Sequence, residues 1–177
     1  MVSIGPYTQS LNFTHQFDLR TAKVAKARPR NSLWGMLEVN PEFSAFREIV
    51  KTAKMEGIMN DPQTGLTLFV PSDSYLDLPP GYLENMDMLT ARKLVHFATL
   101  NRKICLKLIQ AQPVIQLVTK LPANKLYITT LNCQTMLHGD TSLLYGDIEV
   151  DNGMIHVVDR IMVPSRSDTA SYYSQTY

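Results

Sequence analysis

The sequence predicts an α+β fold, with helices in its first half and strands in its second. Three observations carry this. Apolar residues recur at helical spacing over residues 43–53 and again over 88–98. Beyond residue 112, short apolar runs alternate with polar breaks: "PVIQLVTK", "KLYITT", "CQTMLH", "IEV" and "MIHVVDRIMV". Between the last two, Asn152-Gly153 is a strong hairpin signal. A doubly wound sheet would instead alternate strands with helices along the whole chain. No internal repeat is visible.

The folded body begins near Leu33. Asn40 is a suitable N-cap and Pro41 suits the first helical position, after which Phe43, Phe46, Ile49, Val50 and Ala53 line one face. Gly57 is the expected stop, and "NDPQTG" (60–65) is turn-rich. Thr67-Leu68-Phe69-Val70 reads as a buried strand ended by Pro71, with Ser72 the expected cap of a helical turn through Tyr75. "LPPG" (78–81) is a loop. In the second helix, Leu89, Leu94, Val95 and Ala98 share the expected buried face.

Taking Asn152-Gly153 as a two-residue type I′ loop pairs Val150 with Ile155, Glu149 with His156 and Ile148 with Val157. Ile148, Val150, Ile155 and Val157 then form the buried face. Asp147, Glu149, Asp151 and His156 gather on the opposite one. There His156 steadies the acids across the strand, an opposite-charge pairing of roughly 0.2–1 kcal/mol when the imidazole is protonated. A bulge near the turn would slip these pairs.

The bulk numbers describe one ordinary globular domain. The chain has 177 residues, 45% apolar and 19% charged, with a net charge of +1. That balance excludes a polycation built for nucleic acid or an anionic membrane. The charge is uneven, however. Residues 1–32 carry Arg20, Lys23, Lys26, Arg28 and Arg30 against a single carboxylate, Asp18, while the body is mildly acidic. The reading is a basic extended arm (1–32), a folded domain (33–164) and a polar tail (165–177) holding Tyr172, Tyr173 and Tyr177. The five cations and three tyrosines are the candidate partner-binding residues. Tyrosines make effective interface anchors, and a basic arm without interleaved aromatics favours protein over phosphate. Nucleic acid is not an expected partner.

No apolar run of signal-peptide type opens the chain, and no stretch approaches the ~18 apolar residues of a membrane span. Synthesis in the cytoplasm is therefore expected, with Cys105 and Cys133 reduced. An extracellular location would require that a leader had been removed. Asn12-Phe13-Thr14 matches a glycosylation acceptor, a match without meaning if the chain is not exported.

Sites for chemistry are hard to find. There is no Walker-type loop, dinucleotide fingerprint or Cys-x-x-Cys pair. "DIEVDNG" has its glycine one place late for a calcium loop. His15, His96, His138 and His156 are scattered without an i, i+4 pair. Ser72, His96 and Asp159 supply the residue types of a triad but no nucleophile elbow. No enzyme activity, metal or cofactor is expected.

Four stretches in order, "FSAFREIVKTA" (43–53), "TLFVPSDSYL" (67–76), "KLVHFATL" (93–100) and "DNGMIHVVDRIMVP" (151–164), resemble the motifs of the fasciclin-like (fasciclin I-type) domain family. The resemblance implies an α+β wedge of two packed β-sheets with helices along one side. It makes Phe69, Pro71, Asp73, Asn152, Gly153, His156 and Asp159 structural, and His96 the motif histidine of a region linked in the family to folding and receptor contact. Val95 stands where the adhesion version has a tyrosine, and residues 101–146 lack the usual Thr-rich, Gly-ended strand signature. The function expected is a non-enzymatic structural or protein-interaction module, docked by its terminal arms in a larger assembly. A minor capsid or cementing protein of a virus particle is the preferred setting. The alternative is a cell-adhesion or extracellular-matrix fasciclin domain.

Overall fold

A computed structural model describes residues 31–164. The first helix, α1 (Leu33–Val39), is capped by the Ser32 hydroxyl, which accepts from the Gly35 N–H, and it buries Leu33, Trp34 and Leu37. Its seven residues, interrupted by Gly35, are too few to show a period, so the sequence marks only its start. Asn40 caps as expected, accepting from the Glu42 N–H. Residues Pro41–Phe43 form a 3-10 turn that leads into α2 (Ser44–Ala53), with Phe43, Phe46, Ile49, Val50 and Ala53 all buried.

The stop lies earlier than Gly57. Lys54 takes the left-handed conformation at φ 55° and returns its N–H to Lys51 and Val50, while Gly57 falls inside a further short helix, α3 (Glu56–Met59). A non-glycine residue can occupy this cap at modest cost, and then the glycine signal points to the wrong residue. After the strand β1 (Leu66–Pro71), Ser72 does precede a 3-10 turn, Asp73–Tyr75, but does not cap it. Its hydroxyl donates to Glu42 Oε2 at 2.6 Å instead.

Asp87 caps α4 (Met88–Phe97) by accepting from the Leu89 and Thr90 N–H groups. Leu94, Val95 and Ala98 are buried as expected, joined by Ala91 at the same spacing, but Leu89 is 49% exposed. Its position two residues before Ala91 turns it off the packed face. Helix α2 packs on α4 and touches β1, and α1 reaches β7.

The remaining elements are β2 (Thr99–Leu100), α5 (Leu106–Ile109), β3 (Val114–Val118), β4 (Lys125–Leu131), β5 (Gln134–Leu137), β6 (Thr141–Val150) and β7 (Gly153–Val158). The strands form one hydrogen-bonded series, β2-β1-β7-β6-β5-β4-β3. Its two halves share β6. Thr141 and Ser142 pair with β5, whereas Leu143 to Val150 pair with β7. The series turns back on itself, since Leu100 bridges Thr119 and the Lys120 N–H donates to Thr99 at 2.8 Å. Both halves feed one core, with Phe69 and Ile155 from one and Leu117 and Ile128 from the other. Parallel pairing of β1 with β7 lies inside the series, so β1 is buried throughout, as is β7 apart from Met154.

The hairpin register differs from the expected one. Val150 faces Gly153, Glu149 faces Met154 and Ile148 faces Ile155, so Asp151 and Asn152 form the loop. Neither has a positive φ, which rules out a type I′ turn. Gly153 serves close packing instead: a Cβ there would stand 2.7 Å from both the Leu66 carbonyl oxygen and a Leu33 methyl. The displacement is two residues, which preserves side-chain parity. Val150, Ile155 and Val157 therefore remain in the core, but His156 no longer faces Glu149. Residues 159–163, expected to prolong the last strand, lie beyond its end.

Candidate functional site

The motif residues are the place to look for chemistry, and each is tied into the fold. Asp73 reaches back to the start of α2, where Phe43 offers no side-chain cap. Its carboxylate accepts from the Ser44 N–H at 2.9 Å, the Ala45 N–H at 3.1 Å and the Ser44 hydroxyl. A carboxylate at a helix N-terminus satisfies orphan donors and complements the dipole. Next to it, Glu42 accepts from Ser72 and Ser74, and these hydroxyls hold its carboxyl below the usual range. Replacing Asp73 with Ala is expected to lower the unfolding free energy by about 2 kcal/mol. Urea titration checks this, and Asp73→Asn should recover part of the loss because its amide oxygen still accepts.

Asn152 is buried in the hairpin loop and uses every donor and acceptor it is given. Its oxygen accepts from the Leu33 N–H at 2.8 Å, and its amide donates to Met59 O at 2.9 Å and Asp61 O at 3.0 Å. One side chain thus joins α1, the end of α3 and the start of β7. At the other end of β7, Asp159 Oδ1 accepts from the Ser142 N–H at 2.8 Å, and the Asp159 N–H donates to Ser142 O at 3.1 Å. Asp159 also pairs with Arg160 at 3.3 Å.

His156 is fully buried. Strand β6 makes room for it with extra residues between Leu143 and Ile148. Within that bulge, a Cβ on Gly146 would collide with His156 Nδ1, and Asp147 takes a left-handed φ of 58°. The Asp147 N–H donates to Nδ1 at 3.2 Å, and its carboxylate accepts from the Leu106 N–H at 2.8 Å. The other ring nitrogen, Nε2, lies 2.8 Å from Ile104 O. An amide can only donate and a carbonyl can only accept, so the ring is the neutral Nε2–H tautomer. Phe69, its neighbour on β1, stacks at 5.5 Å between ring centroids.

Burial pushes the His156 pKa below 6.5, against the opposing pull of Ile104 O and Asp147. The partly buried His96 is pushed the same way by burial, then by the charges of Lys120 and Arg92. A histidine with a depressed folded pKa stabilises the fold fully above the unfolded value and loses that contribution as pH falls through the folded one. The melting temperature should therefore drop as pH is lowered below about 6.5, before most carboxylates titrate. Thermal melts between about pH 8 and pH 5 check this; a flat profile in that window would contradict it.

The structure does not assemble the triad residue types. Ser72 bonds Glu42 and Asp159 bonds Ser142, while His96 contributes its carbonyl to the Leu121 N–H at 3.2 Å. Pro71 pairs with Val158, one residue from Asp159, so Phe69, Pro71, His156 and Asp159 are neighbours along β1 and β7. His96 stands apart on α4. Among the described residues, no group of three or more His, Cys, Asp or Glu side chains is placed to hold a metal. No described helix is long and apolar enough to cross a membrane. The candidate partner-binding residues Arg20, Lys23, Lys26, Arg28, Arg30, Tyr172, Tyr173 and Tyr177 lie outside the described residues.

The model of the fasciclin domain matches residues 41–164. The chain belongs to the fasciclin domain family. This fasciclin domain is 26% identical to human periostin over 137 residues, covering 75% of the chain but only 16% of periostin. It is 24% identical over 149 residues to the FAS1 domain-containing protein 081L of Invertebrate iridescent virus 3, covering 75% of the chain and 81% of that protein. Among solved structures, it resembles the FAS1 domain pair of the insect cell adhesion molecule fasciclin I. The TM-score is 0.63 at 21% identity, over 79% of this chain and 53% of that one, which supports the fold. Fasciclin domains are modules of the protein-interaction and adhesion type, and this chain shares that general character.

Around His156, sequence reasoning missed Gly146 and Ile104; it placed Asp147 on the histidine's face, but not as the N–H donor to its ring. For Gly146 the one signal is the Gly-Asp step in "LLYGDIEV", where the apolar alternation breaks; Ile104 carries none.

Proposed function

We propose that the chain is a non-enzymatic fasciclin module that docks, through its terminal segments, in a larger protein assembly. A virus particle is the setting we favour, with the chain as a minor capsid or cementing subunit. The observation that carries the non-enzymatic part is the state of the motif polar groups. Asp73, Asn152, His156 and Asp159 all bond to main-chain groups that hold the fold, and His156 has both ring nitrogens engaged. The iridescent-virus relative, matched over most of its own length, supports the virion setting. Limited proteolysis tests the docking. Cleavage within residues 1–32 and 165–177 should be rapid in the isolated chain and suppressed in the native assembly. Ends that already resist protease in the isolated chain would count against it.

The second reading is a cell-adhesion module. It is favoured by the likeness to periostin and to an insect cell adhesion molecule. Finding glycan on Asn12, or a processed leader in the native protein, would decide for it.

A further inference from the structure

The strand series fails to close along one seam, and the seam is shaped to take another strand. Leu100 bridges Thr119, but beyond that point β3 and residues 101–108 part company. Between them lie two adjoining hollows of about 340 and 210 Å³. Arg102 lines both. Gln116 and Val118 face it in the first; Ile104, Leu108, Ile115 and Leu117 give the second an apolar floor.

The edge of β3 is open to this trough. Its strand partner is β4. The Thr130 N–H donates to Pro113 O at 2.8 Å and the Thr119 N–H to Asn124 O at 3.4 Å, so odd-numbered residues turn their main-chain groups toward β4. Antiparallel alternation sends the N–H and C=O of Val114 and Gln116 the other way, into the trough. Exposed strand edges are usually blunted by a charge, a proline or a bulge. Val114–Val118 reads VIQLV and has none of these. Val114 and Val118 are 57% and 71% exposed, and Leu108 across the trough is 58% exposed.

Charge selects the occupant. Among the described residues the lining holds two cations, Arg102 and Lys103, and no carboxylate. Lys103 is engaged by Val150 O at 3.1 Å and Glu149 at 3.7 Å, whereas the Arg102 side chain has no hydrogen-bond or ion-pair partner among the described residues. A second copy of this chain fits badly. Its β3 edge is flanked by its own residues 101–108, and pairing two such edges would bring two Arg102 side chains together. A lone extended segment meets neither obstacle.

We propose that this seam binds an extended segment of a partner protein by strand addition to β3. The partner segment alternates apolar side chains, for the Ile104–Leu117 floor, with an Asp or Glu opposite Arg102. Main-chain bonds to Val114 and Gln116 supply affinity, and the floor and Arg102 supply selection. The site lies on the domain body, so it stands whether or not the terminal segments dock.

The test selects a displayed library of random decapeptides on the immobilised full-length chain and measures the enriched peptides by fluorescence polarisation. Enriched peptides should alternate apolar and acidic residues. Gln116→Pro removes an outward N–H without touching the β4 ladder and should weaken binding by about tenfold or more at an unchanged melting temperature. Arg102→Glu should turn the enriched charge from acidic to basic, and Leu108→Asp, at an exposed position, should also weaken binding by about tenfold. Failure to enrich, enriched peptides that bind Gln116→Pro and Leu108→Asp as well as the parent, or a concentration-dependent dimer abolished by Gln116→Pro would each overturn the proposal.

Discussion

Asn152→Ala is expected to destabilise the domain by roughly 3–5 kcal/mol, a large share of the stability of an ordinary domain. The side chain is buried and serves three main-chain groups: the Leu33 N–H, Met59 O and Asp61 O. Removal strands the buried Leu33 N–H and Met59 O, each at about 1–3 kcal/mol, and takes one bond from Asp61 O, which still accepts from Thr64. The effect also spreads. Ser32, which caps α1, donates to Asn60 at 2.7 Å, between the two carbonyls that Asn152 holds. Asn152→Asp is the informative control. It keeps the acceptor for Leu33 but sets a carboxylate against two carbonyl oxygens, so it should fail to rescue. Urea unfolding of both variants checks this; a loss under about 1 kcal/mol in the alanine variant would show that the tie is not a major support.

Gly146→Ala is expected to cost about 2–3 kcal/mol, the range for overpacking a filled interior. The added methyl would overlap His156 Nδ1 and stand 3.1 Å from a Leu106 methyl. Backbone strain is not the cause, because Gly146 is not among the positive-φ residues. The collision therefore depends on the imidazole being there. His156→Ala on its own should be strongly destabilising, since it opens a cavity and strands the Asp147 N–H and Ile104 O. In that background, however, Gly146→Ala should cost far less than in the parent. A double-mutant cycle measures the difference. Additive losses would mean that the bulge does not wrap the histidine as described.

What the sequence revealed and what it hid follow from the range of each interaction. The face of α2 and its lead-in turn is readable because Phe43, Phe46, Ile49, Val50 and Ala53 repeat at a local period. β1 was readable because an uninterrupted apolar run ends in Pro71. Asn152-Gly153 marks the hairpin's place but not its register, which differs by two residues because both residues serve tertiary contacts. Asn152 holds partners about 90 to 120 residues away, and Gly153 admits Leu33 and Leu66. His156 was set on the outer face because alternation alone cannot tell a solvent face from one covered by Ile104 and the β6 bulge. Asp73 falls within the turn expected after Ser72, yet its partners lie at the start of α2, 28 and 29 residues earlier. The family resemblance identified these positions as structural; their bonding partners are visible only in the folded chain.

The histidine of this hairpin is a buried tie between β7, the β6 bulge and Ile104. Nitrogen-15 NMR of the His156 imidazole measures it most directly. The expected result is a neutral ring at pH 7 with the proton on Nε2 and Nδ1 accepting, and a titration midpoint below 6.5. A proton on Nδ1, or a ring that titrates at or above 6.5 in exchange with solvent, would contradict it.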